Sequence, residues 1–372
     1  MEKFKINTNY FKCPPSKIRN YFVLSKYDFV PIELTNKYPC IFVTPKVSPI
    51  DENLISKCIK DKFVFIKDDI VKKISLGELS QKDQAKLLNE IKKLSDEGFS
   101  ISILYGTSPS IFGEFEKLSE KIILFLKSTN LDIKFLTFPG EYFSHPVWSN
   151  KPRKTKIHSS QQLSIKQRFL EGLTEKEVIA SFNNNTPSSA TTYLTKYPIW
   201  INSNELARGI ERVMYCCPHC KKLFSIYSEF SCVKCRDCGM VIEFSPDGKI
   251  LFSNNLNSFD NIQKFQFDCL IKNELTINEI VQYKNITQII SENCKNKIKI
   301  KVILQVYAEK LVIVNSLTNR KQTINFEDIN YFEYFYGNMI KIKTKNAKEF
   351  CFVGNSFENF LIIKDLITLN KN

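Results

Sequence analysis

The sequence predicts an α/β layer, then a small metal-binding ribbon, then a β-rich domain closed by a C-terminal helix. Three observations predict it. Short apolar runs alternate with helical periods from Cys40 to about Phe138. Six cysteines fall within "CCPHCKKLFSIYSEFSCVKCRDCG", residues 216–239. From about Lys297 the chain turns to β-branched and aromatic residues broken by turn signals.

In the first stretch, "CIFVT" (40–44), "FVFI" (63–66), "FSISILY" (99–105) and "IKFLTF" (133–138) are apolar runs of strand length, as expected of strands covered on both faces. Asp51 opens the helix "DENLISKCIK" as an N-cap. Ser80, with Asp83 three positions on, starts "SQKDQAKLLNEIKKLSDEG". Leu87, Leu88, Ile91 and Leu94 share one face of that helix and Gly98 ends it. "FEKLSEKIILFLKS" (115–128) reads as the next helix. Strands alternating with helices over short joins make an α/β layer.

Further on, "LSIKQRFLEGLTEKEVIASF" (163–182) has a helical, amphipathic period, and "NNNTPSSATT" (183–192) is a polar, proline-interrupted linker. "NELARGIERVMY" (204–215) reads as a short helix entering the cysteine cluster, and "SFDNIQKFQFDCLIKNEL" (258–275) as a helix after it. The segments "KIKIKVILQVYAEKLVIVN" and "KQTINFEDINYFEYFYGNMIKIKTKNAKEFCFVG" read as antiparallel strands, with turns at "GN" and "KNAKE". "SFENFLIIKDLITLN" is the closing helix, and the order resembles a small barrel of pleckstrin-homology type. The expected domains are an α/β domain over 1–160, a helical connector over 161–213, the ribbon over 214–252, a helical linker over 253–295 and the β-rich domain over 296–372.

A chain of 372 residues has room for two or three domains. Its formal net charge of +14 directs attention to anionic partners: nucleic acid, acidic membrane or a phosphorylated ligand. The excess is mostly lysine, spread through a chain rich in Lys, Ile, Asn and Phe, with "NKPRKTK" (150–156) its one tight cluster, so compositional bias accounts for much of it. Scarce arginine and the lack of an aromatic-basic stacking pattern around the ribbon disfavour nucleic acid. No run of 18 apolar residues predicts a transmembrane helix, and the start "MEKFKINTNYFKC" lacks the apolar run of a signal peptide. The expectation is cytoplasmic. Of twelve cysteines, the six outside the cluster are irregularly scattered, as free thiols in a reducing compartment would be.

Within the cluster, Cys217/Cys220 and Cys235/Cys238 form two Cys-x-x-Cys pairs separated by fourteen residues. Each pair makes a turn whose amides offset thiolate charge, and four thiolates complete a closed tetrahedral Zn²⁺ site. Pro218 and Gly239 favour this register, while Cys232/Cys235 is an alternative second pair. Four sulfurs leave no open position, so the zinc is expected to be structural.

At the end of the first apolar strand stands "IFVTPKVSPIDENLI" (41–55). It resembles the glycerolipid acyltransferase family, that of the 1-acylglycerol-3-phosphate acyltransferases, in which a strand ends in Asn-His-x-Ser-x-x-Asp. There the His deprotonates the acceptor hydroxyl and the Asp orients it. Ser48 and Asp51 match; Pro45 stands at the Asn position and Lys46 at the His position. "EGFSISILYGTSPSIFGEF" (97–115) is similar to the family's phosphate-gripping Phe-Pro-Glu-Gly-Thr-Arg-Ser loop. Gly106 and Thr107 match, Ile103, Leu104 and Tyr105 fill the Phe-Pro-Glu positions, and Ser108 fills the Arg position. "FLTFPGEYFSHPVW" (135–148) resembles a later strand-Gly-x-Tyr segment. The block bearing Gly-x-Ile-x-x-Asp-Arg is missing, "KKISLGELSQKD" being too short to hold it. A bacterial subgroup continues past its acyltransferase domain with a four-cysteine ribbon, a helix and an aromatic-rich β segment. The stretch from "LARGIERVMYCCPHC" to the C-terminus is similar to that subgroup.

The resemblance implies an acyltransferase-like α/β fold, a phospholipid or lysophospholipid ligand and acyl-CoA or acyl carrier protein as donor, while the lysine excess and the apolar residues of "YFKCPPSKIRNYFVL" predict reversible, peripheral binding to an anionic membrane surface. It places Asp51 and Lys46 at catalytic positions and makes Ser48, Gly106, Thr107 and Ser108 substrate contacts. A lysine is a poor replacement base. Unperturbed, it is neutral in only a few molecules in ten thousand at pH 7, and neutralising it costs about 4–5 kcal/mol. Asp51 as a helix N-cap is the simpler alternative to Asp51 as an orienting carboxylate. Of the histidines, His145 comes after a different strand and could approach the site in space, His158 does not lie at the strand edge beside Asp51, and His219 sits inside the zinc knuckle. Ser108 and Ser110 lack an identifiable base. The expectation is a diverged phospholipid acyltransferase-like protein, impaired or inactive, with a lipid-associated or scaffolding role. The alternatives are an active lysophospholipid acyltransferase with an unusual base and a zinc-ribbon nucleic-acid binder.

Overall fold

The structure, a computed structural model, describes residues 6–24, 27–48, 50–106, 111, 113–149, 151–185, 189–190, 198–251, 260–272, 281–292, 296–335, 339–346, 348–354 and 360–370. The chain forms two compact units, Met1–Pro146 with Pro152–Asn202, and Val147–Lys151 with Ser203–Asn372.

The first unit runs β1 (Phe11–Lys12), α1 (Lys17–Leu24), β2 (Asp28–Val30), β3 (Cys40–Pro45), α2 (Asp51–Cys58), β4 (Phe63–Ile66), α3 (Asp68–Leu76) and α4 (Gln81–Asp96). It continues through β5 (Ser100–Tyr105), α5 (Glu120–Ser128), β6 (Asp132–Thr137), α6 (Glu141–Ser144), β7 (Lys156–His158), β8 (Ser160–Ile165), α7 (Gln167–Glu171) and α8 (Glu175–Asn185). Its main sheet has the order β1-β4-β5-β3-β6-β8. The four middle strands are parallel and the two edge strands antiparallel.

The strands β3, β4 and β5 are buried along their whole length, because helices cover both faces. Alternate residues go to opposite sides. Phe42, Phe65 and Leu104 pack with Leu54, Ile55 and Cys58 of α2. Ile41, Val43, Val64, Ile101 and Ile103 pack with apolar residues of α3, α4 and α5 on the other face. The connections leaving β3 and β5 therefore pass to opposite faces of the sheet. The gap between the carboxyl ends of these neighbouring strands is a topological switch point, where open α/β sheets bind ligands.

Ser80 caps α4, accepting from the Asp83 amide at 3.1 Å, and Gly98 closes it at a φ of +81°, as the sequence predicts. Three elements differ. The helix expected over 115–128 begins only at Glu120, because the Ser119 hydroxyl takes the Ile122 amide and caps it there. The helix expected over 163–182 starts as strand: Leu163 to Ile165 pair with β6, and only after Asp132 accepts the Gln167 amide at 3.0 Å does α7 begin. Gly172 then separates α7 from α8, and α8 takes in residues 183–185 of the expected linker. Helix α3, which the periodicity did not announce, buries Ile70, Val71 and Ile74 and stops at Gly77 at a φ of +71°.

In the second unit, β9 (Ile226–Glu229), β10 (Cys232–Cys235), β11 (Val241–Phe244) and β12 (Ile250–Leu251) form an antiparallel sheet, with α9 (Asp260–Lys272) after it. Then come β13 (Val281–Glu292), β14 (Asn296–Val306), β15 (Lys310–Asn315), β16 (Lys321–Asn325), β17 (Ile329–Phe335), β18 (Met339–Thr344), β19 (Glu349–Val353) and α10 (Leu361–Leu369). These seven strands make one curled antiparallel half-barrel sheet in the order β16-β15-β14-β13-β19-β18-β17. The apolar residues of α10, Leu361, Ile362, Ile363 and Leu366, are buried. The helix expected over 204–215 is reduced to a single 3₁₀ turn, Ile210–Arg212. Tertiary contacts displace it: the Ala207 amide donates to the Phe230 carbonyl at 3.1 Å, and Gly209, at a φ of +90°, lies so close to Trp148 that a Cβ would meet its carbonyl oxygen at 2.5 Å.

Candidate active-site crevice and metal centre

The carboxyl ends of β3 and β5 bring the two sequence-selected segments together. The Lys46 amide donates to the Tyr105 carbonyl at 2.8 Å and carries the strand pairing one residue past β3. Gly106 comes next after Tyr105 at a φ of +108°, where a Cβ would stand 3.5 Å from that of Lys46. Thr107, Ser108 and Ser110 lie outside the described residues. The Lys46 ammonium pairs with Asp68 Oδ2 at 3.2 Å, at the start of α3. Asp68 also takes Lys12 Nζ at 2.7 Å, and Lys12 reaches Glu52 at 2.6 Å. Burial pushes the Asp68 carboxyl up, but the bonds from Lys12 and Lys46 outweigh it and hold the group below its ordinary value.

Asp51 is not the N-cap of α2. Ile50 occupies that position without a side-chain bond, and Asp51 is the first helical residue. Its carboxylate turns back into the preceding loop, where Oδ2 accepts from the amides of Val47 at 3.0 Å and Ser48 at 3.1 Å. Ser48 donates its hydroxyl to Glu141 Oε1 and accepts from the Ile50 amide at 3.2 Å. Glu141 stands at the start of α6, placed there by Gly140 at a φ of +93°. A Cβ on Gly140 would lie 2.3 Å from the Lys156 carbonyl oxygen.

Ser48, Asp51 and Glu141 are all buried, at 3%, 2% and 1% exposure, and the two carboxyls are in side-chain contact. Two carboxylates this close in a dry site cannot both ionise cheaply. Burial pushes Asp51 up to about 6 against the opposing pull of Glu141, the two amides and Lys46. Burial, then the charge of Asp51, drives Glu141 well above its ordinary value. Burial thus biases both carboxyls toward their protonated forms.

His145 does not reach Asp51 as a base. Its Nδ1 lies 2.9 Å from the hydroxyl of Tyr27, whose own proton is held tightly: burial and the charge of Glu141 push Tyr27 up to about 12. The basic cluster at 150–156 is not wholly a solvated face either, since Arg153 is buried and desolvation lowers it to about 10. Sequence reasoning missed Glu141, Asp68 and Tyr27. Only "PGEYF", an acid directly after a strand-end glycine, offered a local signal.

In the second unit, the sulfurs of Cys217, Cys220, Cys235 and Cys238 all lie within 4.8 Å of one another. Cys217 and Cys238 are 3.7 Å apart, as are Cys220 and Cys235. Four thiolates about 2.3 Å from a tetrahedral zinc ion stand about 3.8 Å apart. The donor set and its spacing thus fit a metal ion of that kind, and Cys232 is outside the cluster.

No protein-family model matches the chain, and no curated protein matches it. Solved structures do. The C-terminal domain of an unknown protein from Leishmania infantum is 10% identical, with a TM-score of 0.21, covering 30% of this chain and 99% of that one. Inner Membrane Complex sub-compartment protein 3 from Toxoplasma gondii is 12% identical, with a TM-score of 0.20, covering 28% of this chain and 86% of that one. The 1-acyl-sn-glycerophosphate (LPA) acyltransferase from Thermotoga maritima is 15% identical, with a TM-score of 0.32, covering 45% of this chain and 74% of that one. Among the described residues no helix is long and apolar enough to cross a membrane.

Proposed function

We propose that this chain is a diverged phospholipid acyltransferase-like protein, impaired or inactive in acyl transfer, with a lipid-associated or scaffolding role. One observation carries the reading: the groups at the catalytic positions of the resemblance are engaged elsewhere. The Lys46 ammonium is paired with Asp68. Asp51 Oδ2 accepts from two loop amides and the carboxyl contacts Glu141, while Oδ1 is buried with no hydrogen-bond partner among the described residues, so no base is bonded to the group that would orient one. General-base help is typically worth 10²–10⁴-fold, and His145, the histidine that could approach in space, is bonded to Tyr27. In this reading Gly106 keeps a ligand-contacting role at the switch-point crevice, Thr107 and Ser108 are substrate contacts by resemblance alone, and the Ser48 hydroxyl is turned to Glu141.

The rest of the chain supports the same assignment. Counted from its own first strand, the seven-stranded sheet has the order four-three-two-one-seven-six-five with a terminal helix, which favours a pleckstrin-homology-like domain. A closed four-thiolate set suits a structural Zn²⁺. The partners would be phospholipid or lysophospholipid and an anionic membrane surface, met from the cytoplasmic side.

The test is an acyl-transfer assay on lysophosphatidate with acyl-CoA and acyl carrier protein donors. Wild type, Lys46→His and Asp51→Ala are all expected to show no turnover. Clear turnover by the wild type, abolished by Lys46→Ala, would overturn the reading in favour of a lysine-based mechanism.

A further inference from the structure

We propose that the groove beside β2 and β7 in the first unit binds single-stranded nucleic acid, with one base stacked on Trp200 and the adjoining phosphates on Lys154 and Lys156. The groove measures about 450 Å³, and three segments line it: Asp28 of β2, residues 154–156 leading into β7, and residues 198–202. Strand geometry fixes which side chains face out. Lys154 and Lys156 are exposed while Thr155 and Ile157 are buried, and Trp200 and Asn202 are exposed while Ile199 and Ile201 are buried. The Asn202 amide donates to the Lys154 carbonyl at 2.8 Å in an antiparallel bridge. Two residues on, that register sets Lys156 across from Trp200. On its other side Lys156 is paired with Asp28. Cross-strand partners share a face, so Asp28, Lys156 and Trp200 form one row, and Lys154 and Asn202 the next.

Tryptophan is a highly buried residue on average. Trp148 is wholly buried, but Trp200 is 67% exposed, held outward by the buried isoleucines on either side of it. Neither lysine has an ion-pair partner among the described residues. Together they outweigh the single carboxylate of the lining, Asp28. A flat aromatic ring beside unneutralised cations on a strand surface suits a base and its phosphates, because stacking accepts any base and the lysines take the backbone. Asp28 and Asn202 add acceptors and a donor for a base edge. A free nucleotide would need most of its surface enclosed, which a groove with an exposed indole does not give, whereas a strand gains contacts on either side of it. A duplex keeps its bases stacked and out of reach of Trp200. The aromatic-basic pattern lacking around the ribbon is assembled here by folding, from segments distant in the chain. The inference goes beyond the proposed function and does not rest on it.

The experiment is fluorescence anisotropy of the full chain with a labelled single-stranded oligodeoxynucleotide of about ten nucleotides, with its duplex, an abasic strand of the same length and AMP as competitors. Saturable binding of the single strand is expected, with each competitor at least about fivefold weaker. Trp200→Ala, at an exposed position, should weaken binding at least about fivefold, and Trp200→Phe should keep most of it. Lys154→Gln/Lys156→Gln should lower the slope of log affinity against log salt by about 1.4, since each phosphate contact on a single strand contributes about 0.7. Lys92→Gln/Lys93→Gln, the same charge change on exposed positions of α4, should leave the slope as in wild type. The proposal is overturned by no saturation, by any competitor binding as tightly as the single strand, or by both lysine variants changing the slope equally. It is also overturned if Trp200→Ala binds the oligonucleotide as wild type, and a loss of capture by anionic vesicles in that variant would then make the groove a membrane contact.

Discussion

Replacing Glu141 by glutamine should flatten the pH dependence of stability. In the folded chain Asp51 is raised from 3.8 to about 6 and Glu141 is raised well above 4.5, in both cases by burial first. Below the ordinary carboxyl range both groups are protonated whether folded or not, and the pair costs nothing. As the pH rises through that range the unfolded chain releases protons that the folded chain keeps, so stability falls. The part due to Asp51 is complete above about pH 6, and Glu141, raised in the same direction, adds a part of the same sign. At about 1.4 kcal/mol per pH unit, Asp51 alone accounts for about 3 kcal/mol. Glutamine keeps an N–H to offer Asp51 and an oxygen to receive the Ser48 hydroxyl, but it has no acidic proton and no charge to oppose. Asp365, buried in the second unit against the Tyr215 hydroxyl, is also pushed up to about 6, so the informative quantity is the difference between variant and wild type. Urea unfolding should find Glu141→Gln more stable than wild type by about 1–3 kcal/mol near pH 7.5, with the gap closing near pH 4. A gap that does not change with pH, or a wild type more stable at neutral pH, would refute the account of two buried carboxyls raised by desolvation.

Metal analysis of the purified chain should find about one Zn²⁺ per molecule. Cys235→Ser should lose it and lower the thermal midpoint, while Cys232→Ser, outside the four-sulfur cluster, should keep it. Gly140→Ala should destabilise by at least about 2 kcal/mol in chemical unfolding, since the new Cβ meets the Lys156 carbonyl at 2.3 Å on a left-handed backbone. Liposome flotation should show reversible binding that prefers anionic over neutral lipid, at about 1 kcal/mol for each lysine near the surface, and that weakens with salt. Equal recovery with both lipids would remove the membrane from the proposed partners.

The sequence by itself determined the elements whose cause is local. Strands covered on both faces are mostly apolar, so β3, β4 and β5 stand out as runs of four to six residues. A thiolate cage is built from two knuckles, each closed over four residues, so the pairing of Cys217/Cys220 with Cys235/Cys238 can be read from spacing. Ser80 and Asp83 announce a helix start because a cap joins residues three apart. Tertiary structure decided what depends on a neighbour distant in the chain. Leu163 to Ile165 carry an amphipathic period but join β6, because an open sheet edge offers their amides partners that a short helix end does not. Residues 204–215 give up a helix to bonds with Phe230 and the close approach to Trp148. The clearest case is Asp51. Its sequence neighbours suggest a helix cap, yet burial raises its carboxyl, beside Glu141, whose Ser48 bond spans 93 positions. The energy of a buried charge is set by whatever fills the few ångströms around it, and chain folding, not sequence adjacency, chooses those neighbours.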